Sequence, residues 1–145
     1  MRVTHTLSLK KNPYSLLRIS IGMLYLWFGG LKFFPGASPA EALASQTIEL
    51  LTFHLLPDAF IIPSLAVLEF IIGILLVFTR EFKVTFWLLM FHMLCTLMPL
   101  FILPEITFNQ IPFQLTIEGQ YIIKNLVIIS AALVLLQHYK TQTNS

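Results

Sequence analysis

The sequence predicts an all-α fold, an antiparallel four-helix bundle that lies in a membrane as a single domain of residues 1–145. Hydrophobic residues make up 57% of the chain and charged residues 11%, compared with about 25% charged in an average soluble domain. The mean hydropathy is +0.81, and a soluble fold of this size could not bury so much apolar surface. Lipid is therefore expected to surround much of the chain.

Four candidate membrane spans follow one another, at residues 14–34, 59–79, 84–103 and 119–136. Each is close to the roughly 20 residues that a helix needs to cross the hydrocarbon core of a bilayer. The first is interpreted as a retained helix and not as a signal peptide. Its apolar run is longer than the roughly 7–15 residues of a signal-peptide hydrophobic region. The small residues that could mark a cleavage site, Ala42-Leu43-Ala44, follow only after Lys32 and two prolines.

The positive charges outside the spans predict the orientation of the chain. They lie before span one, between spans two and three, and after span four: Arg2, Lys10, Lys11, Arg80, Lys83 and Lys140. The segments 35–58 and 104–118 contain acidic residues and no Lys or Arg. Because cytoplasmic loops carry the excess of basic residues, both termini are expected in the cytoplasm and these two segments on the outer face.

The two outer segments have patterns of their own. Ser38, Pro39 and Glu41 fit the N-cap, N1 and N3 positions of a capping box, which predicts a short amphipathic helix at residues 39–55 on the outer membrane face. The segment 104–118 is rich in apolar residues. It is either an ordinary interfacial loop or a lid folded onto the bundle.

Ionisable side chains lie inside the predicted spans, where they are costly unless they face the bundle interior and find partners. On helix one, steps of four, three, four and three residues define a single stripe: Arg18, Gly22, Tyr25, Gly29 and Lys32. The other helices offer comparable faces around Glu69, His92 and Lys124. Polar faces that meet inside a bundle predict a shared buried cluster.

The depth of each ionisable side chain in the membrane limits which of them can form ion pairs. Counting 1.5 Å per residue from the cytoplasmic ends places Glu69, His92 and Lys124 near the middle of the membrane. We expect Glu69 to be the central anion, paired with Lys124 or with Arg18, and His92 to lie within reach. Tyr25 is a further member of this predicted cluster.

A second candidate site lies at the outer interface, where Lys32 and Glu118 are expected. For the central cluster two interpretations are open. It is either an ion pair that only fixes helix register, or a site for a proton or ligand in which Glu69 titrates while Lys124 and Asn125 donate hydrogen bonds.

Several chemistries are excluded by the residues available. Cys95 is the single cysteine, so neither an intramolecular disulfide nor a Cys-x-x-Cys redox pair can form. Haem held by two histidines is not expected, because only His92 falls within a predicted span. No phosphate loop, dinucleotide fingerprint or zinc-ligand cluster is present, so no metal site and no catalytic residue is predicted. Basic clusters with interleaved aromatics are also absent, which argues against nucleic acid.

The chain resembles the DoxX family of small bacterial membrane proteins over residues 16–136. The residues that carry the resemblance are Leu17-Arg18-Ile19, the run Trp27-Phe28-Gly29-Gly30-Leu31-Lys32-Phe33-Phe34-Pro35-Gly36, Ser38-Pro39-Ala40-Glu41, Leu68-Glu69 with Gly73, and Glu118-Gly119-Gln120-Tyr121-Ile122-Ile123-Lys124-Asn125. The resemblance implies a four-helix fold in the bacterial cytoplasmic (inner) membrane. For some relatives it implies membership of membrane oxidoreductase assemblies, including the small subunit of a thiosulfate:quinone oxidoreductase, and it transfers no catalytic residues.

Three functional hypotheses follow. The first is an accessory subunit without a redox centre of its own, which anchors a partner oxidoreductase and lines a quinone site. Trp27 and Phe28 would be the walls of that site, and Lys124 or His92 would bond the quinone oxygen. The second is a scaffold or assembly protein with a purely structural ion pair. The third is a small proton-coupled transporter, expected to be a homo-oligomer, in which Glu69 binds a proton and a substrate in turn.

Overall fold

A computed structural model describes residues 13–78 and 82–143, and it is mostly helical. The elements in chain order are α1 (Pro13–Leu31), α2 (Glu41–Leu51), α3 (Asp58–Phe78), α4 (Phe82–Leu97), α5 (Pro99–Ile102), α6 (Pro104–Thr107), β1 (Phe108–Gln110), β2 (Gln114–Leu115) and α7 (Ile117–Thr143). Of the basic residues that predict orientation, Arg2, Lys10, Lys11 and Arg80 lie outside the described residues.

Four helical segments in the described ranges are long and apolar enough to cross a membrane: Pro13–Leu31, Asp58–Phe78, Phe82–Ile102 and Ile117–Gln142. These confirm the four predicted candidate spans. The third segment consists of α4 and α5, with a break where Pro99 enters. Proline lacks the N–H that would continue the hydrogen-bond ladder, so a break at this residue is expected.

The ends of two spans differ from the prediction. The first helix ends at Leu31 rather than at residue 34, because the chain enters a series of turns there and Gly36 adopts a φ of 74°. The last helix continues to Thr143, seven residues beyond the predicted end at 136. Its final turns are polar, and the ring of His138 stacks on Tyr14 of α1 at a centroid distance of 3.8 Å.

The predicted capping box of α2 is not formed. The helix begins at Glu41 with Ala40 at its N-cap, and no side chain caps it. The Glu41 carboxylate instead accepts a hydrogen bond from the backbone N–H of Gly36, at 3.0 Å. The helix is also shorter than predicted, since it ends at Leu51 and Phe53 and His54 turn the chain with positive φ.

Residues 104–118, which were expected to be either an interfacial loop or a lid, contain α6 and a β-hairpin that the sequence did not predict. Strands β1 and β2 pair antiparallel, with Phe108 opposite Leu115 and Gln110 opposite Gln114. The Thr116 hydroxyl donates to the carbonyl of Ile106 at 2.7 Å and ties the hairpin to α6. The segment is therefore more ordered than a plain interfacial loop.

The long helices pack most extensively in two pairs, α1 against α3 and α4 against α7. The α1–α3 contact is close because glycines face the partner helix. A Cβ at Gly73 would lie 2.8 Å from the Leu26 side chain, and one at Gly22 would lie 2.8 Å from Val77. Small residues that let two backbones approach are typical of helix contacts in membranes.

Candidate functional site

Four buried side chains, from α1, α3, α4 and the turn that follows α1, form one continuous hydrogen-bonded chain. The Tyr25 hydroxyl lies 2.8 Å from Nδ1 of His92, and Nε2 of His92 lies 3.1 Å from Oε1 of Glu69. The other carboxylate oxygen of Glu69 lies 2.7 Å from the Lys32 ammonium. We call Tyr25, His92, Glu69 and Lys32 the polar chain.

One arrangement of protons satisfies every bond in the polar chain. With Glu69 ionised, Nε2 of His92 donates to the carboxylate, which leaves Nδ1 as the acceptor for the Tyr25 hydroxyl. The Lys32 ammonium donates to the second carboxylate oxygen. Lysine and glutamate then neutralise each other, and histidine and tyrosine are neutral, so the interior carries no net charge.

All four groups are well shielded from solvent. The exposed fractions are 9% for Lys32, 7% for Glu69, 5% for His92 and 6% for Tyr25. Removing charged groups from water is costly unless they are paired and hydrogen-bonded. The mutual bonding of the chain meets that requirement.

The close contact between α1 and α3 explains why Lys32 reaches Glu69. A Cβ at Gly29 would lie 2.9 Å from the Glu69 Cβ, so the two helices touch at this level. Lys32 follows three residues later, about 4.5 Å further along the axis. A lysine side chain spans that distance easily when it folds back along the partner helix.

The predicted partner of Glu69 was wrong. Lys124 is exposed, and its ammonium lies 5.1 Å from the ring centroid of Tyr121 on its own helix. Arg18 donates to the carbonyl of Val77 at 3.4 Å, near the end of α3 that is remote from α2. Depth counted separately on each helix could not reveal that Gly29 sets the register of α1 on α3.

The structure brings together Tyr25, Glu69 and His92 as predicted members of one cluster, and adds Lys32, which was expected at the interface. The sequence feature that could have placed Lys32 in the cluster is its seven-residue spacing from Tyr25, which puts both residues on one helix face. Asn125 lies outside the polar chain and donates to Thr96 at 3.3 Å, which joins α7 to α4.

The outer-side site predicted from Lys32 and Glu118 is not formed as a pair. Lys32 bonds Glu69, while Glu118 is exposed in the first turn of α7. Among the described residues no group of three His, Cys, Asp or Glu could hold a metal ion.

The residues proposed to hold a quinone are exposed or already hydrogen-bonded. Trp27 and Phe28 are 69% and 48% exposed on the helix surface, and Lys124 is exposed as well. Both ring nitrogens of His92 are already engaged within the polar chain. The quinone site therefore stays a prediction from the sequence.

A cleft of about 690 Å³ lies above Lys32, between the end of α1, the start of α2 and the start of α3. It is lined by Lys32, Phe33, Pro35, Gly36, Ser38, Pro39, Glu41, Ala42, Ser45, Asp58, Ala59, Ile62 and Pro63. We call it the α2 cleft. Because Lys32 belongs to both, the polar chain leads from the buried Tyr25 to a surface cleft.

Comparison with protein-family models, with curated proteins and with solved structures yields no match to this chain. The resemblance to the DoxX family therefore stays a prediction from the sequence. What the fold itself defines is a mostly helical protein with four candidate transmembrane helices.

Proposed function

We propose that the four long helices cross the bacterial inner membrane as an antiparallel bundle, with both termini in the cytoplasm and the α2 cleft on the outer face. The apolar composition of the four spans supports insertion. Lys83 and Lys140 at the opposite end from α2 support the orientation, since basic residues favour the cytoplasmic side.

Within that membrane, we propose that the protein is an accessory subunit of a quinone-linked oxidoreductase assembly, and that it contributes a proton path rather than a redox centre. The observation that carries this proposal is the polar chain, which links the interior at Tyr25 to the α2 cleft at Lys32. Chains of Glu and His inside membrane proteins mark proton relays. We place any quinone on the partner, since Trp27, Phe28 and Lys124 are exposed and both ring nitrogens of His92 are engaged.

Each link of the polar chain can hold or pass a proton. The Tyr25 hydroxyl can give its proton to Nδ1 of His92 as it takes another from a proton donor of the proposed partner, and His92 can then release the proton on Nε2 to Glu69. Glu69 lies against the Lys32 ammonium, and Lys32 is one of the residues that line the cleft. Because the Lys32 ammonium has no acceptor site, it would release one of its protons to a base in the cleft and then take the proton from Glu69, so the net transfer would be one proton towards the α2 end.

The first test is a pull-down of tagged protein from native membranes in mild detergent, with mass spectrometry of the partners and extraction of bound quinone. Recovery of a flavin- or sulfur-handling oxidoreductase with quinone is expected. Recovery of the protein alone, without quinone, would contradict the subunit proposal.

The proton path is tested in the recovered assembly with Glu69→Gln. This change keeps a hydrogen bond to His92 and removes the proton-accepting carboxylate, so turnover is expected to fall by at least about tenfold while the assembly still forms. Lys124→Met is the matched control, because it removes an exposed charge from the same membrane region. Equal turnover in the two variants would remove the proton path.

A second candidate is a scaffold in which the polar chain is only structural. It is favoured by the mutual satisfaction of the four groups, which leaves Glu69 with a partner on each oxygen. Buried polar groups between membrane helices often serve this purpose. For a scaffold, the double change Lys32→Met with Glu69→Gln should leave assembly and turnover intact.

A further inference from the structure

The α2 cleft contains hydrogen-bonding groups that the protein itself does not use. Ser38 is 7% exposed, lines the cleft, and its hydroxyl makes no hydrogen bond to any residue within 13–78 or 82–143. The Lys32 ammonium has three N–H donors, and the described part of the chain accepts from only one, through Glu69. Buried polar groups usually find partners, so the cleft is suited to a ligand that brings acceptors.

The same cleft also holds negative charge on its other walls. Asp58 lies in the first turn of α3 and is exposed, and no described residue donates a hydrogen bond to its carboxylate. Glu41 accepts one bond from the Gly36 backbone and keeps further acceptor capacity. A fitting ligand therefore combines an anionic group near Lys32 and Ser38 with a cationic N–H donor near Asp58 and Glu41.

The position of the cleft indicates where such a ligand comes from. It lies where α1 ends at Leu31 and α3 begins at Asp58, which are the ends of two candidate spans. This is the level of lipid headgroups for a helix that crosses a bilayer. Phe33 and Phe34 beside it are 49% and 68% exposed, as aromatic side chains at a membrane interface commonly are.

We propose that the α2 cleft binds the zwitterionic headgroup of a phospholipid with a primary amine, of the phosphatidylethanolamine type. The phosphate accepts from Lys32 and Ser38, and the ammonium donates to Asp58 and Glu41. The acyl chains run down the apolar surface of α1 and α3. This inference rests on the membrane insertion proposed above and is independent of any oxidoreductase partner.

The test measures lipid retention by purified protein with native mass spectrometry, after exchange into equal mixtures of phosphatidylethanolamine, phosphatidylcholine and phosphatidylglycerol. Phosphatidylethanolamine is expected to be retained about tenfold more than either other lipid, because only it offers both a phosphate and N–H donors. Equal retention of phosphatidylglycerol would overturn the proposal.

Two double variants are compared, and each removes two negative charges from the same end of the molecule. Glu41→Gln with Asp58→Asn alters the cleft, whereas Glu105→Gln with Glu118→Gln alters exposed acids outside it. The first is expected to lose the preference and the second to keep it. Equal retention by both double variants would overturn the site.

Two further measurements keep the test decisive. If the cleft double variant fails to fold, Ser38→Ala takes its place with Ser130→Ala as control, and a several-fold loss of retention is expected only for Ser38. Free phosphoethanolamine, added to lipid-depleted protein, distinguishes the source. A rise in melting temperature equal to that given by the intact lipid would show that the ligand is soluble and would overturn the lipid assignment.

Discussion

At the scale of residues, the central feature is Glu69, because each of its two oxygens has a different partner. Lys32 neutralises one oxygen of Glu69, and His92 bonds the other. Tyr25 in turn bonds the second ring nitrogen of His92. A carboxylate held in this way is stabilised by specific bonds and not by water.

Removing one member of the Lys32–Glu69 ion pair should lower the free energy of unfolding far more than removing both members. Lys32→Met leaves a buried carboxylate without its counter-charge and is expected to lower the free energy of unfolding by about 3–5 kcal/mol. The double change Lys32→Met with Glu69→Gln should recover more than half of that loss. Steric trapping in detergent or bicelles measures both.

The control for this cycle is Lys124→Met, which removes an exposed lysine and should change stability by about 0.5 kcal/mol or less. If the single and double variants of the pair are equally damaged, the pairing of Lys32 with Glu69 is wrong.

Tyr25→Phe isolates the other end of the polar chain. The change removes the hydroxyl that bonds Nδ1 of His92 and leaves a buried nitrogen without that partner, so a loss of about 1 kcal/mol is expected. The ¹⁵N resonance of His92 Nδ1 should shift at the same time. Tyr121→Phe, which alters an exposed ring, should leave that resonance in place; an unmoved Nδ1 signal in Tyr25→Phe would refute the contact.

At the scale of elements, the contact between α1 and α3 positions the polar chain. Neither helix has a strongly amphipathic pattern, yet glycines on the facing surfaces bring their backbones together. Packing of this kind depends on shape, because lipid offers little hydrophobic driving force between helices. Adjacent glycines near the end of α1 allow this idea to be tested.

Gly29→Ala and Gly30→Ala should have different effects on the free energy of unfolding. A Cβ at Gly29 would lie 2.9 Å from the Glu69 Cβ and 3.1 Å from the Phe70 backbone nitrogen, so α1 must move and a loss of about 1–3 kcal/mol is expected. A Cβ at Gly30 meets no described atom within 4 Å, and alanine there should be neutral or stabilising by up to about 1 kcal/mol. Equal effects on unfolding would show that the close contact does not govern stability.

The elements also show where local patterns mislead. Ser38, Pro39 and Glu41 match a capping box in sequence, but Glu41 bonds to Gly36 and Ser38 faces the α2 cleft. The β1–β2 hairpin arises where the apolar pattern suggested only a loop or lid. In both places short-range contacts with the preceding turn or helix decided the outcome, and those contacts are not visible in residue spacing.

At the scale of the whole molecule, large apolar side chains are widely exposed. Trp87 is 71% exposed, Val127 72% and Phe91 60%, all on helices that qualify as spans. The interior holds the polar chain beside a cluster of buried apolar side chains that includes Ile72, Leu76 and Leu89. So wide an exposure of large apolar side chains is unusual for a soluble protein, and it is expected when lipid is the solvent.

The proposed orientation predicts which residues an impermeant reagent can reach. In a Cys95→Ser background, Phe113→Cys on the hairpin should react with a membrane-impermeant maleimide in intact cells, since the side chain is 92% exposed at the α2 end. Lys140→Cys should react only after the membrane is permeabilised. Labelling of Lys140→Cys alone in intact cells would invert the orientation.

The sequence by itself determined the four candidate spans, the presence of a helix between the first two, and the membership of Tyr25, Glu69 and His92 in one cluster. Hydropathy and helical spacing are local properties, so they can be read without knowing how helices meet. Only the tertiary structure decided that Lys32, and not Lys124 or Arg18, neutralises Glu69. The register of α1 on α3 is set by the close contact at Gly29, and a displacement of one helical turn would have selected a different partner.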